Sequence, residues 1–96
     1  MEKAIEKYVE LVIKKGINLQ KGQILVINSP VETFEFTREL TAKAYEVGAS
    51  EVVVNWFDEI SLKYKYLYGE DKIFDIFPEW QKEFYEYYRK KGAAFL

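Results

Sequence analysis

The chain has 96 residues, 49% hydrophobic and 31% charged, a composition too apolar for a disordered segment and too interrupted by charge for a membrane protein. Its formal net charge of −2 and pI near 5.2 give no long-range attraction for a phosphate backbone, which argues against nucleic acid as a partner. The absence of both cysteine and histidine removes disulfides, thiolate zinc sites, the commonest metal ligand and the commonest general base together.

The N-terminus mixes acids and bases where a secretory signal would need a basic start and an apolar core, so a cytoplasmic location is expected. From Glu2 to Lys15, the apolar residues Ile5, Tyr8, Val9, Val12 and Ile13 recur at helical spacing opposite Lys3, Glu6, Lys7, Glu10 and Lys14. This predicts an amphipathic helix closed by Gly16.

After the turn at Lys21-Gly22, the run Ile24 to Ile27 has the length and β-branched content of a strand buried on both faces. It falls far short of the roughly 20 residues that span a bilayer, and no membrane partner is expected. Ser29 then reads as a helix N-cap, Pro30 as a first helical residue and Glu32 as the end of a capping box. The helix should run to Val47, with Phe36, Leu40, Ala44 and Val47 on one face, and end at Gly48. Glu51 to Trp56 predicts a second buried strand, parallel to the first.

Asp58 can cap a third helix through about Tyr68, and Gly69-Glu70-Asp71 turns into a short helical piece ending near Phe77. Pro78 begins a last helix that Gly92 ends, in which core packing accounts for Trp80, Phe84 and Tyr87. Tyr85 and Tyr88 lie well round the same helix, so part of this aromatic surface should meet another domain or subunit. Ala93 to Leu96 then reads as the start of a third strand. The expected fold is α/β, a βαβ-type layered sandwich with a small parallel sheet and flanking helices, truncated at the start of that third strand.

Candidates for chemistry are few. Asp58-Glu59 and Glu70-Asp71 are the nearest approaches to acidic clusters, and both are explained as cap and turn residues. No Gly-x-Ser-x-Gly elbow and no adjacent base activates a serine. Asn28 and Ser29 are the ligand-binding candidates, because they should lie past the end of a parallel strand and at a helix N-terminus. Dinucleotide and P-loop glycines are missing, so no cofactor-binding residue is assigned.

An ordered series of segments carries a more specific signal. It comprises Tyr8, Lys15 to Gln23, Val26 to Glu32, Ala42 to Ala49, Asn55-Trp56, Phe77 to Trp80 and Gly92 to Leu96. Together they resemble the beginning of the thermophilic-aminopeptidase family of metallopeptidases (AmpS and AmpT type). The resemblance implies a longer cytoplasmic enzyme that removes N-terminal residues from peptides with two divalent metal ions (zinc, cobalt or similar). Its Glu, His, Asp and Tyr ligands lie further along such chains, so the resemblance places no catalytic or metal residue here.

Residues 1–96 are accordingly expected to be the partial N-terminal α/β domain of a metallo-aminopeptidase, inactive alone, with the remainder of that chain as its partner and a peptide as the parent's substrate. The alternative is a free-standing α/β binding or interaction module. An incomplete sheet edge and uncovered aromatics further predict a homo-oligomer.

Overall fold

The computed structural model describes residues 3–72 and 77–96. Helix α1 (Lys3–Leu11) passes into a π-turn (Val12–Gly16) and then strand β1 (Ile24–Pro30). A short 3-10 turn (Val31–Thr33) leads into α2 (Phe34–Glu46) and β2 (Glu51–Phe57). Helices α3 (Glu59–Tyr68) and α4 (Glu79–Lys90) precede β3 (Ala94–Phe95). The three strands form a parallel sheet in the order β2-β1-β3, so the α/β expectation holds. The short helical piece expected before Phe77 falls for its greater part on residues 73–76, outside the described residues.

The core lies where α1 and α2 cover one face of β1. Val9, Ile13, Leu25, Ile27, Leu40 and Ala44 form the buried cluster, and Val52, Val54 and Ala94 extend it across both neighbouring strands. Leu25 and Ile27 point to this face while Val26, also fully buried, points to the other, as the alternation of a central strand requires. The apolar stripe of α2 is as expected, with Leu40 and Ala44 buried and Phe36 and Val47 packed beside them. Gly48 ends this helix at φ +108°, and its carbonyl accepts from Gly22 N at 2.7 Å. A Cβ there would lie 2.9 Å from Lys21 Cγ, so glycine is required by both backbone and space.

Four local expectations are corrected. The first helix ends at Gly16 as expected, but through a π-turn and not a left-handed glycine: Ile17 N bonds Val12 O at 2.9 Å in an i→i+5 turn, and the left-handed residue is Asn18. The wider turn keeps Ile13 in the core while Lys14 and Lys15 stay exposed. The capping box at Ser29 does not form either, because β1 continues through Pro30, with Asn28, Ser29 and Pro30 paired to Asn55, Trp56 and Phe57. The N-cap of α2 is Thr33, without a side-chain cap bond, and Glu32 sits exposed in the 3-10 turn.

The third correction concerns β2, which is half-buried rather than buried because it lies at a sheet edge. The Tyr45 hydroxyl accepts from Val52 N at 3.0 Å and so occupies one edge amide. The fourth concerns α4: Trp80 is 62% exposed and Tyr87 53%, so neither belongs to the core. Phe84 packs instead against Tyr85 and Tyr88 of its own helix. The Asp58 cap forms as expected, accepting from Ile60 N at 3.1 Å and from Ser61 Oγ at 2.8 Å.

Candidate functional site at the carboxyl end of the central strand

Strand β1 connects to β2 on one side, and the chain then crosses to β3 on the other. Such a reversal opens a crevice at the carboxyl ends of the diverging strands, the usual binding position of open α/β sheets. Asn28 and Ser29 both stand at this end of β1, and the pleat sends their side chains to opposite faces.

On the α1–α2 face, Ser29 is 2% exposed and forms the centre of a hydroxyl cluster. Its Oγ lies 2.7 Å from Thr37 Oγ1 and 3.2 Å from Thr33 Oγ1, and it donates to Pro30 O at 3.0 Å. Thr33 Oγ1 also donates to Pro30 O, at 3.1 Å. The cluster forms the floor of an otherwise mainly apolar pocket of about 240 Å³, walled by Tyr8, Val12, Phe36 and Leu40, with Leu96 at the β3 side. No nucleophile is activated there, since neither base nor cation touches the serine hydroxyl among the described residues.

On the opposite face, Asn28 Oδ1 accepts from Asn55 Nδ2 at 3.0 Å and from the Tyr85 hydroxyl at 3.4 Å. Tyr85 also packs against Phe95, with ring centroids 6.1 Å apart, so this small network ties α4 to the sheet. Sequence reasoning missed Thr33, Thr37 and Tyr85 as parts of these clusters. Thr37 carried a readable signal, a hydroxyl on the same stripe as Leu40 and Ala44.

The acidic pairs remain apart from this crevice: Asp58 caps α3, and Glu70 faces Lys72 at 3.1 Å. Among the described residues, no group of three or more Asp, Glu, His or Cys could hold a metal ion. A dinuclear metal centre therefore does not fit the described residues. No helix of the described residues is long and apolar enough to cross a membrane.

A parallel-sheet α/β segment with a pocket at its switch point, and with no metal-ligand cluster among the described residues, defines the class by its fold. The family match makes this specific: the chain belongs to the thermophilic metalloprotease (M29) family, whose model matches residues 1–96. It is similar to Aminopeptidase AmpS of Bacillus subtilis (strain 168), 38% identical over 92 residues, covering 96% of this chain and 22% of that protein. It is likewise similar to Aminopeptidase 2 of Geobacillus stearothermophilus, 37% identical over 95 residues, covering 99% of this chain and 23% of that protein. The solved structure of wild-type AmpT from Thermus thermophilus superposes with a TM-score of 0.73 at 35% identity, over 82% of this chain and 20% of that one. The chain thus spans less than a quarter of the length of the curated relatives it matches.

Proposed function

We propose that residues 1–96 act as the N-terminal scaffold domain of a metal-dependent aminopeptidase, a cytoplasmic enzyme that removes N-terminal residues from peptides. The observation that carries this reading is the family match along the whole chain, set against relatives more than four times as long. The ligands for two divalent ions, zinc, cobalt or similar, belong in this reading to the remainder of the polypeptide. That remainder is this domain's principal partner, and the peptide is the substrate of the whole.

Within that reading Asn28 and Ser29 organise the carboxyl end of β1 on its two faces, and the 96-residue segment alone is inactive. Exposed aromatics on α3 and α4, among them Tyr68 at 79% and Trp80, supply surface for the remaining chain and for a homo-oligomer. The gene beyond the Leu96 codon tests the proposal. A frame that continues into a segment carrying Glu, His, Asp and Tyr ligands supports it. A stop codon directly after Leu96 would favour a free-standing α/β binding or interaction module.

A further inference from the structure

The pocket over Ser29 lies beside a stretch of β1 that is unpaired on its β3 side. Strand β1 pairs with β2 over all seven of its residues, but its register with β3 covers only Leu25↔Ala94 and Val26↔Phe95. One further residue joins the ladder, because Leu96 N donates to Val26 O and Leu96 O accepts from Asn28 N, both at 2.9 Å.

In a parallel ladder the N–H and C=O of one residue turn toward the same neighbour, so the Asn28 carbonyl also faces the β3 side. Pro30 is the next residue of β1 to face that way, and it has no N–H to give. The β3 side of β1 therefore has place for one further ladder bond, from an amide two positions beyond Leu96. Carried forward from Leu25↔Ala94, the register sets that same position opposite Ser29. Ala94 and the pocket-lining Leu96 alternate onto the α1–α2 face, and the next residue of that alternation points at the pocket.

We infer that the pocket walled by Val12, Phe36 and Leu40 above Ser29 is a socket for one apolar side chain. Its occupant is a segment that prolongs β3 beside β1 and places a large aliphatic or aromatic residue two positions past Leu96. The inference rests on the proposed reading, in which a longer polypeptide supplies that segment. The wall chemistry favours such an occupant: the hydroxyls of Ser29, Thr33 and Thr37 are engaged with one another and with Pro30 O, which leaves an apolar surface facing inward. Continuity with the β1–β3 ladder distinguishes it from a freely diffusing ligand, since the open Asn28 carbonyl and the socket are met by the same residue.

The test compares the 96-residue chain with two versions extended after its last residue, one by Thr-Leu-Thr-Gly and one by Thr-Asp-Thr-Gly. The leucine version is expected to melt about 5 °C or more above the aspartate version, the scale for burying one aliphatic side chain in a domain of this size. The amide of the added leucine should exchange at least about tenfold more slowly than that of the added aspartate, because it is bonded to Asn28 O. Equal melting temperatures together with open exchange at both amides would overturn the inference. So would a melting temperature of the unextended chain that rises with concentration and is unchanged by the leucine extension, which would mark a second copy as the occupant. These readouts involve no peptidase activity. They can fail while the reading frame continues past Leu96, and they can succeed while it stops there, so the two proposals fail separately.

Discussion

Asn28 and Asn55 stand opposite one another in the parallel register of β1 and β2, and Asn55 Nδ2 donates to Asn28 Oδ1 at 3.0 Å. The same oxygen accepts from the Tyr85 hydroxyl, so one amide joins both strands and α4. Asn28→Ala is expected to cost about 0.5–1.5 kcal/mol, the usual net value of such hydrogen bonds at an exposed site. Hydrogen exchange in α4 should rise alongside the urea-measured loss. Unchanged exchange around Tyr85 would show that the contact does not hold the helix.

The buried hydroxyl pair Ser29–Thr37 carries an asymmetric prediction. Ser29→Ala strands Thr37 Oγ1 without its 2.7 Å partner, whereas Thr37→Val leaves Ser29 its bonds to Pro30 O and Thr33. Ser29→Ala should therefore cost about 1–3 kcal/mol and Thr37→Val less, with the double variant well below the sum of the two. Denaturant unfolding of the three variants measures this. Strict additivity would separate the two hydroxyls energetically.

Gly48→Ala is expected to destabilise by about 1–3 kcal/mol, because alanine is strained at φ +108° and its Cβ would meet Lys21 Cγ. Adding Lys21→Gly removes the contact but not the backbone strain. Thermal melts should then recover part of the loss, and full recovery would contradict the conformational share of the effect.

Glu10 and Lys14 form an exposed i,i+4 pair at 2.7 Å on α1 and its turn. The hydrogen bond to Lys14, its charge and that of Lys43 hold the Glu10 carboxyl below its ordinary value. The hydrogen bond and charge of Glu10 likewise raise Lys14. Glu10 thus contributes stability above the ordinary carboxylate pKa that is lost as pH falls through the lowered one. Lys14 contributes below its ordinary pKa and loses that contribution as pH rises through the raised one. NMR titration should show Glu10 titrating below the ordinary carboxylate value, and Glu10→Gln should return Lys14 toward its usual value. High salt should diminish both shifts.

Much of the fold was legible in local pattern. Ile24 to Ile27 announced a central strand, the stripe Leu40–Ala44–Val47 ended correctly before Gly48, and Asp58 capped the helix expected of it. What could not be read was nonlocal. Ser29, Pro30 and Glu32 spell a helix start, yet pairing with Trp56 and Phe57 draws the first two into β1, and ladder bonds outweigh a cap. Val52 to Val54 look like a buried strand because periodicity does not tell which strand lies at the edge. Trp80 and Tyr87 look like core because apolar character on a helix does not say what covers it. Of the site, Asn28 and Ser29 were marked by their place after an apolar run, whereas Tyr85 reaches Asn28 only through the tertiary fold.

Under the proposed reading, this M29-family segment scaffolds an aminopeptidase whose catalytic ligands lie elsewhere in the polypeptide. The most direct test of that reading is hydrolysis of an aminoacyl chromogenic substrate by the purified 96-residue chain with zinc or cobalt added. No turnover above the metal-only control is expected; metal-dependent turnover that a chelator abolishes would contradict the proposed reading.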